Sequence, residues 1–503
     1  MLPKRLNLIL VLVIVMLLSF LFYDKLLIKN PEYLSTYSSV NPHMRVTTEV
    51  ISLKHNPPYV ASLRNHSGNL PDIYLNDKSK KPKGFNSTCA RFPDFFNLHF
   101  RNDHWQIQNT TKGILFLFNA YLDKRDNVVR IVAAYDVYRS QTPLHCQLWY
   151  NGSTQPVLVK SEVPFWMFYP KWGADNGYFI HPYLITCPVV LLDNASPVSV
   201  SLAENPCDST TNNVKIYNPD YKEKKNFVVC VKGMSFPYDD HSVRLTEWIE
   251  LLRILGAEKV NFYEFNVHPN TQRVLDYYVA KGFVEVTPVT IAGDSSNHPL
   301  LQSWFLRKKI ISRRLQEVLP FNDCLYKHLS GYKYVVLLDT DEVIVPANGT
   351  WVELIETVQH KYPNSSSYVA RNVYFFDEYL HQHDWFDGIP KYMHMLQHVY
   401  RAKNYTKPGH FVKGFHDTEK VVALHNHLPF KCHNSCRTKE IDLNLGHLQH
   451  YRVDCASGVG NCQSMKANSV LDTRMWNFKD ELIGSVQATF KELDLDISDC
   501  AYK

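Results

Sequence analysis

Asp339-Thr340-Asp341-Glu342 follows directly on the apolar run Tyr334-Val335-Val336-Leu337-Leu338. Two carboxylates one residue apart, just past a buried strand, can face a divalent cation from a single turn. Oxygen ligands suit Mn²⁺ or Mg²⁺. Such a cation clamps a diphosphate and neutralises the charge that builds as it departs. Asp-x-Asp arises about once by chance in a chain of this length, and a second copy, Asp494-Leu495-Asp496, is present. That copy follows no continuous apolar run and sits near the end of the chain. The first copy has Val343-Ile344-Val345-Pro346 behind it. Its position matches the rule that ligands of open α/β sheets bind beyond the carboxyl ends of the strands.

The elements around the motif alternate. Phe227–Val231 reads as a buried strand, and Leu245–Leu255 has helical spacing and ends in Gly256, a C-terminal stop. Val260–Phe265 is a strand, Thr271–Lys281 a helix closed by Gly282, and Phe283–Val286 a further strand. A long helix is predicted from Leu300 to Val318, stopping before Pro320. This pattern predicts an α/β domain over residues 226–503 with a mainly parallel, Rossmann-like sheet. Residues 84–220 carry short apolar runs instead, at Ile114–Ala120, Val128–Tyr135, Gln147–Tyr150, Val157–Val159 and Tyr183–Leu191. They predict a β-rich, sandwich-like domain. Trp105, Trp149, Trp166 and Trp172 fall in it; exposed, they can bind carbohydrate, but core packing is the expected fate of most.

Residues 1–5 read as a short tail and Leu6–Tyr23 as an apolar stretch of 18 residues, long enough for a signal-anchor. Residues 24–83 read as a polar stem. Eight Asn-x-Ser/Thr sites, from Asn65 to Asn404, all follow the anchor, which predicts a lumenal body of a type II membrane protein. The chain has 11 cysteines. In that compartment most pair, and the odd count leaves one over. The group Cys432, Cys436, Cys455 and Cys462 lacks zinc-knuckle spacing, so disulfides are expected there. Net charge is +5, and the basic residues are dispersed, with Lys78-Ser79-Lys80-Lys81 a solvated loop. Nucleic acid is therefore not an expected partner.

Several segments in order resemble glycosyltransferase family 92. They are Cys230-Val231-Lys232, Glu247-Trp248-Ile249-Glu250, Leu255-Gly256-Ala257, Val260–Glu264, Gln302, Asn322-Asp323-Cys324-Leu325, the run from Tyr334 to Pro346, and His450-Tyr451-Arg452. The resemblance implies a GT-A fold for the catalytic domain, UDP-galactose as donor, Mn²⁺ dependence and a β-1,4-linked product. Acceptors in the family include fucose or galactose of animal N-glycans, and a Golgi membrane location follows. On this reading Asp341 is the direct metal ligand, and Asp339 contacts metal-bound water or the ribose. His450 is a third ligand, and Arg452 pairs with the diphosphate. Asn266 and Asp323 are expected at the nucleotide.

A β-linked product from an α-linked donor requires inversion and a general base. Asp377, Glu378, Asp384, Asp387, Asp417 and Glu419 are the candidates, with Asp377 and Glu378 preferred. The stretch Ala370–Glu378 departs from the family's pattern where the acceptor side should lie. Two competing readings are another UDP-sugar donor on the same machinery, and a membrane-anchored lectin with an inactive transferase domain.

Overall fold

The computed structural model describes residues 68–74, 89–153, 155–169, 179–191, 195–383, 385–455 and 462–495. Met1–Pro57 and Pro58–Lys503 form two units, and every described residue lies in the second. The expected tail, anchor and most of the stem lie outside the described residues. Among the described residues no helix is long and apolar enough to cross a membrane.

The first half is a single ten-stranded sheet. Its strands are β1 (Phe100–Arg101), β2 (Trp105–Asn109), β3 (Ile114–Asp123), β4 (Val128–Tyr135), β5 (His145–Trp149), β6 (Val157–Lys160), β7 (Phe165–Trp166), β8 (His181–Pro188), β9 (Ser199–Ala203) and β10 (Val214–Tyr217). The path runs β6-β5-β9-β10-β3-β4-β8-β7, with β2 and β1 branching from β3. Although β5 and β8 are well separated along that path, the Cys146–Cys187 disulfide joins them. The sheet therefore folds over on itself. Leu115, Leu117, Ile131 and Ile185 of one layer pack against Leu148, Val200 and Leu202 of the other. Two packed layers thus arise from one continuous sheet.

Part of the predicted stem belongs to this body. Asn69 is buried and donates to the His104 carbonyl at 3.2 Å, and the Tyr74 hydroxyl donates to Pro93 O at 2.7 Å. Trp105 and Trp149 are core residues. Trp166 is half-buried beneath the Arg139 guanidinium, and Trp172 lies outside the described residues.

The second half opens with β11 (Lys225–Phe236), α1 (Ser242–Leu255), β12 (Lys259–Val267), α2 (Pro269–Ala280) and β13 (Val284–Pro288). It continues with α3 (Pro299–Lys308), α4 (Ile310–His328), β14 (Tyr332–Leu337), β15 (Glu342–Pro346), α5 (Trp351–Lys361), β16 (Ser367–Ala370) and β17 (Asn372–Phe376). Then come α6 (Asp377–Gln382), α7 (His394–Gln397), β18 (Tyr400–Ala402), β19 (Lys413–Asp417), β20 (Val421–Leu424), β21 (Pro429–Cys432), β22 (Thr438–Glu440) and β23 (Gly446–Arg452). The last elements are α8 (Cys462–Lys466), β24 (Ser469–Leu471) and α9 (Lys479–Leu493).

A seven-stranded sheet runs β13-β12-β11-β14-β19-β16-β22. Its first four strands are parallel, and β19 is antiparallel to both β14 and β16. Both faces are covered, and the sequence alternation shows it. Val229 and Val231 face one core with Trp248 and Leu252 of α1, while Val228 and Cys230 face a second core with Leu325 of α4. Gly256 ends α1 with φ 101°, a left-handed conformation that suits glycine.

The predicted long helix is two. Lys309 breaks it, and α4 then runs through Pro320. An interior proline costs about 3 kcal/mol. The helix persists because Leu315, Val318, Leu319, Phe321, Cys324 and Leu325 are all buried around it. Their partners are the parallel sheet on one side and Phe116, Phe118 and Leu184 of the folded sheet on the other. Cys230–Cys324 links α4 covalently to β11. Disulfides form within the expected group, pairing Cys432 with Cys436 and Cys455 with Cys462; Cys89 pairs with Cys207, and Cys500 lies outside the described residues.

Candidate active site

Strand order fixes where a ligand can enter. From β11 the chain adds β12 and β13 on one side, then returns to add β14 on the other, so the crossover point falls between the carboxyl ends of β11 and β14. A cleft of about 650 Å³ opens there. Register decides which side chains meet in it. Cys230 pairs with Leu337, so Lys232 and Asp339, each two residues on, lie side by side. Lys232 Nζ stands 3.2 Å from Asp339 Oδ1. Across β14, Val336 pairs with Phe415, which brings Lys413 to Asp339 Oδ2 at 3.3 Å and to Glu342 Oε2 at 3.5 Å.

The remaining partner comes from a separate three-stranded sheet, β15-β23-β17. β15 continues from the acidic turn, and its pairing sets Glu342 opposite His450. The Tyr451 amide donates to the Asp341 carbonyl at 2.9 Å. His450 Nε2 then lies 3.3 Å from Asp341 Oδ2, and Nδ1 lies 3.3 Å from Glu342 Oε1.

The two aspartates differ in kind. Burial raises the proton affinity of Asp339, but Lys232, then Lys413 and His450, outweigh it and hold the carboxyl well below the usual range. Its charge is already compensated by two ammonium groups. The Asp341 side chain is 45% exposed and is lowered by His450 against the effect of burial. Among the described residues, the two buried ring nitrogens of His450 have only these two carboxylate oxygens, at 3.3 Å, as close polar neighbours. An open carboxylate facing an imidazole at this spacing is a donor set that fits Mn²⁺ or Mg²⁺. Asp341 and His450 would hold the ion. Asp339, turned to its lysines, would act on what the ion carries.

Basic side chains line the same cleft: Lys232, Arg244, Arg307, Arg313 and Arg452. Arg452 forms no direct ion pair among the described residues, yet its charge helps lower Asp341. Of the acids expected to take a proton, Asp377 lines the cleft. Glu378 does not; it pairs with Lys466 at 3.2 Å.

Neither Asn266 nor Asp323 is among the residues that line the cleft. Asn266 donates to Gln302 Oε1 at 2.7 Å. Asp323 is fully buried and accepts from Asn119 at 2.7 Å, Tyr121 at 2.6 Å and Tyr263 at 2.5 Å. With three donors satisfied, its carboxylate is a structural bond between the halves of the molecule. Sequence reasoning missed Lys232, Lys413 and Glu247 as site residues. Lys232 and Lys413 reach Asp339 only through strand register. Glu247 lines the cleft and accepts from the amides of Met395 and Leu396 at 3.0 and 3.4 Å.

The family model described as glycosyltransferase family 92 matches residues 225–494, more than half of the chain. The chain belongs to glycosyltransferase family 92. Among solved structures it is similar to one described as the apo structure of the WbbM bifunctional glycosyltransferase, at 12% identity and a TM-score of 0.18. That similarity covers 32% of this chain and 26% of that one. No curated relative matches it.

Proposed function

We propose that this protein transfers galactose from UDP-galactose to a galactose or fucose residue of an N-linked glycan, forming a β-1,4 bond with inversion. The observation that carries the reading is the facing of Asp341 and His450 at the mouth of a strand-end cleft that Arg452 and three further arginines line. Bound there, a divalent cation would stabilise the negative charge of the departing diphosphate. The arginines match phosphate oxygens in geometry and sign. Lys232 and Lys413 keep Asp339 ionised, so it can accept a hydrogen bond from the ribose or from water. Asp377 enters as a cleft carboxylate rather than as the base, because two imidazoles already flank it.

Galactose, the linkage and the acceptor rest on the family resemblance of the quoted segments. Anchorage in the Golgi membrane rests on the apolar stretch at residues 6–23 and the glycosylation signals after it. The test is release of UDP from UDP-galactose by the purified chain, with and without Mn²⁺, over an array of glycan acceptors. Mn²⁺-dependent release that rises with a galactose- or fucose-terminated acceptor supports the reading. Release from a different UDP-sugar alone moves the donor assignment, and no release from any UDP-sugar removes the activity altogether.

A further inference from the structure

A second group of metal-capable side chains meets on the far wall of the cleft. Asp377 starts α6, His394 starts α7, and His398 follows its last residue. One ligand atom from each lies within 4.8 Å of the other two. The spacing is informative. His398 Nε2 is 3.4 Å, and His394 Nε2 3.8 Å, from the same oxygen, Asp377 Oδ1. A charge-assisted N–H···O bond closes to about 2.7–2.9 Å, so both separations are long for direct bonds. Two ligands each about 2.0–2.1 Å from a tetrahedral Zn²⁺ stand about 3.3 Å apart. The observed distances lie nearer that value.

Tautomer chemistry points the same way. His398 Nδ1 is 2.7 Å from the carbonyl oxygen of His394. A carbonyl only accepts, so Nδ1 carries a proton, and Nε2 is the ring nitrogen turned towards the Asp377 carboxylate. That leaves Nε2 and Asp377 Oδ1 as the two atoms between which a cation would sit. An imidazole N–H given to a backbone carbonyl is also the outer bond by which metal-bound histidines are oriented. The support is rigid: Glu247 ties the amides of Met395 and Leu396 to α1, and the two rings lie 3.9 Å apart, centroid to centroid. Asp377 and His394 both line the cleft, so the open side of the group faces the space where substrates enter.

We propose that Asp377, His394 and His398 hold a second divalent cation, of the Zn²⁺ class, distinct from the one assigned to Asp341 and His450. Two nitrogen donors among three favour Zn²⁺ over Mn²⁺ or Mg²⁺. The assignment stands on its own residues and does not depend on the sugar-transfer reading.

The test is Zn²⁺ titration of the chelator-stripped, purified chain against a chromogenic chelator. Asp341→Ala, which removes a ligand of the first site only, still takes up one tight equivalent. Adding His394→Gln and His398→Gln weakens that uptake about 100-fold or more. Zn²⁺ also raises the melting temperature of Asp341→Ala but not of the triple variant. An Asp341→Ala chain that binds no Zn²⁺ overturns the proposal, as does a triple variant that binds as tightly as its parent. Should the triple variant not fold, Co²⁺ loaded into Asp341→Ala decides. An intense visible spectrum of a four-coordinate nitrogen–oxygen site supports the assignment, and the weak spectrum of a six-coordinate ion overturns it. UDP release is measured separately, so failure of one reading is not confused with failure of the other.

Discussion

Lys413 carries an ammonium group with no exposed surface between two carboxylates, Asp339 and Glu342. Removing one partner from a buried charge group costs about 3–5 kcal/mol, because the others are left uncompensated. Lys413→Met should lower the unfolding free energy by about that amount in urea titrations. Asp341→Ala should behave in the opposite sense. Its half-exposed carboxylate contributes little to the fold, so melting should shift by only a few degrees while Mn²⁺-dependent UDP release falls by about a thousandfold or more. Glu247 makes a pH prediction. Burial pushes its carboxyl up to about 8, against the lowering effect of the amides it accepts. The folded state therefore binds a proton that the unfolded state releases. The stabilisation is fully present below the ordinary carboxyl value of 4.5 and is lost as pH rises through about 8. Glu247→Gln should flatten the decline in melting temperature between pH 5 and pH 8; an unchanged decline would falsify the assignment. At this scale the acidic pair was legible because a run of apolar residues marks the strand that presents it. Lys232 and Lys413 were not, since a lysine's neighbours across a sheet depend on register, which one sequence does not display.

At the level of elements, the legible part was the repeating unit of strand and helix from β11 to β14, where alternating burial and a glycine stop leave clear marks. The helix before β14 was misread at both its break and its proline. Local propensity argues for a stop at Pro320, yet α4 is enclosed by two sheets, and burial outweighs one missing backbone bond. The small sheet of β15, β17 and β23 was not foreseen, because its strands come from distant parts of the chain. Asp323 shows how an element-level role can pass for a site-level one. It sits on α4 and binds Asn119 and Tyr121 of β3 together with Tyr263 of β12. Asp323→Ala leaves three buried donors without an acceptor, at about 1–3 kcal/mol each. Folded stability should therefore fall by several kcal/mol, while the affinity of the remaining folded fraction for UDP stays unchanged. A selective loss of UDP affinity would return Asp323 to the nucleotide.

For the whole molecule, the two halves share an apolar layer rather than a linker. Phe116, Phe118, Val132 and Leu184 cover α4 as fully as the parallel sheet does. Calorimetry of the intact chain should show one cooperative transition, with no separate melting of the β-rich half. A truncated chain beginning at Lys225, where the family match starts, should be insoluble or bind hydrophobic dyes, because that layer is stripped bare. Two resolved transitions would count against this.

The pairing of β15 with β23 has a further bearing on how such an enzyme can diversify. His450 reaches Asp341 because it lies across the sheet from the next residue, Glu342, not by being near it along the backbone. Insertions or deletions in the loops between Pro346 and Gly446 can reshape the cleft while the facing of Asp341 and His450 stays put, provided the two strands keep their alignment. A slip of one residue within β23 is another matter: it would offer Gln449 or Tyr451 in place of the imidazole and turn the histidine to the opposite side. Tolerance to length change should thus be wide across the intervening loops and almost nil over seven residues, Gly446 to Arg452.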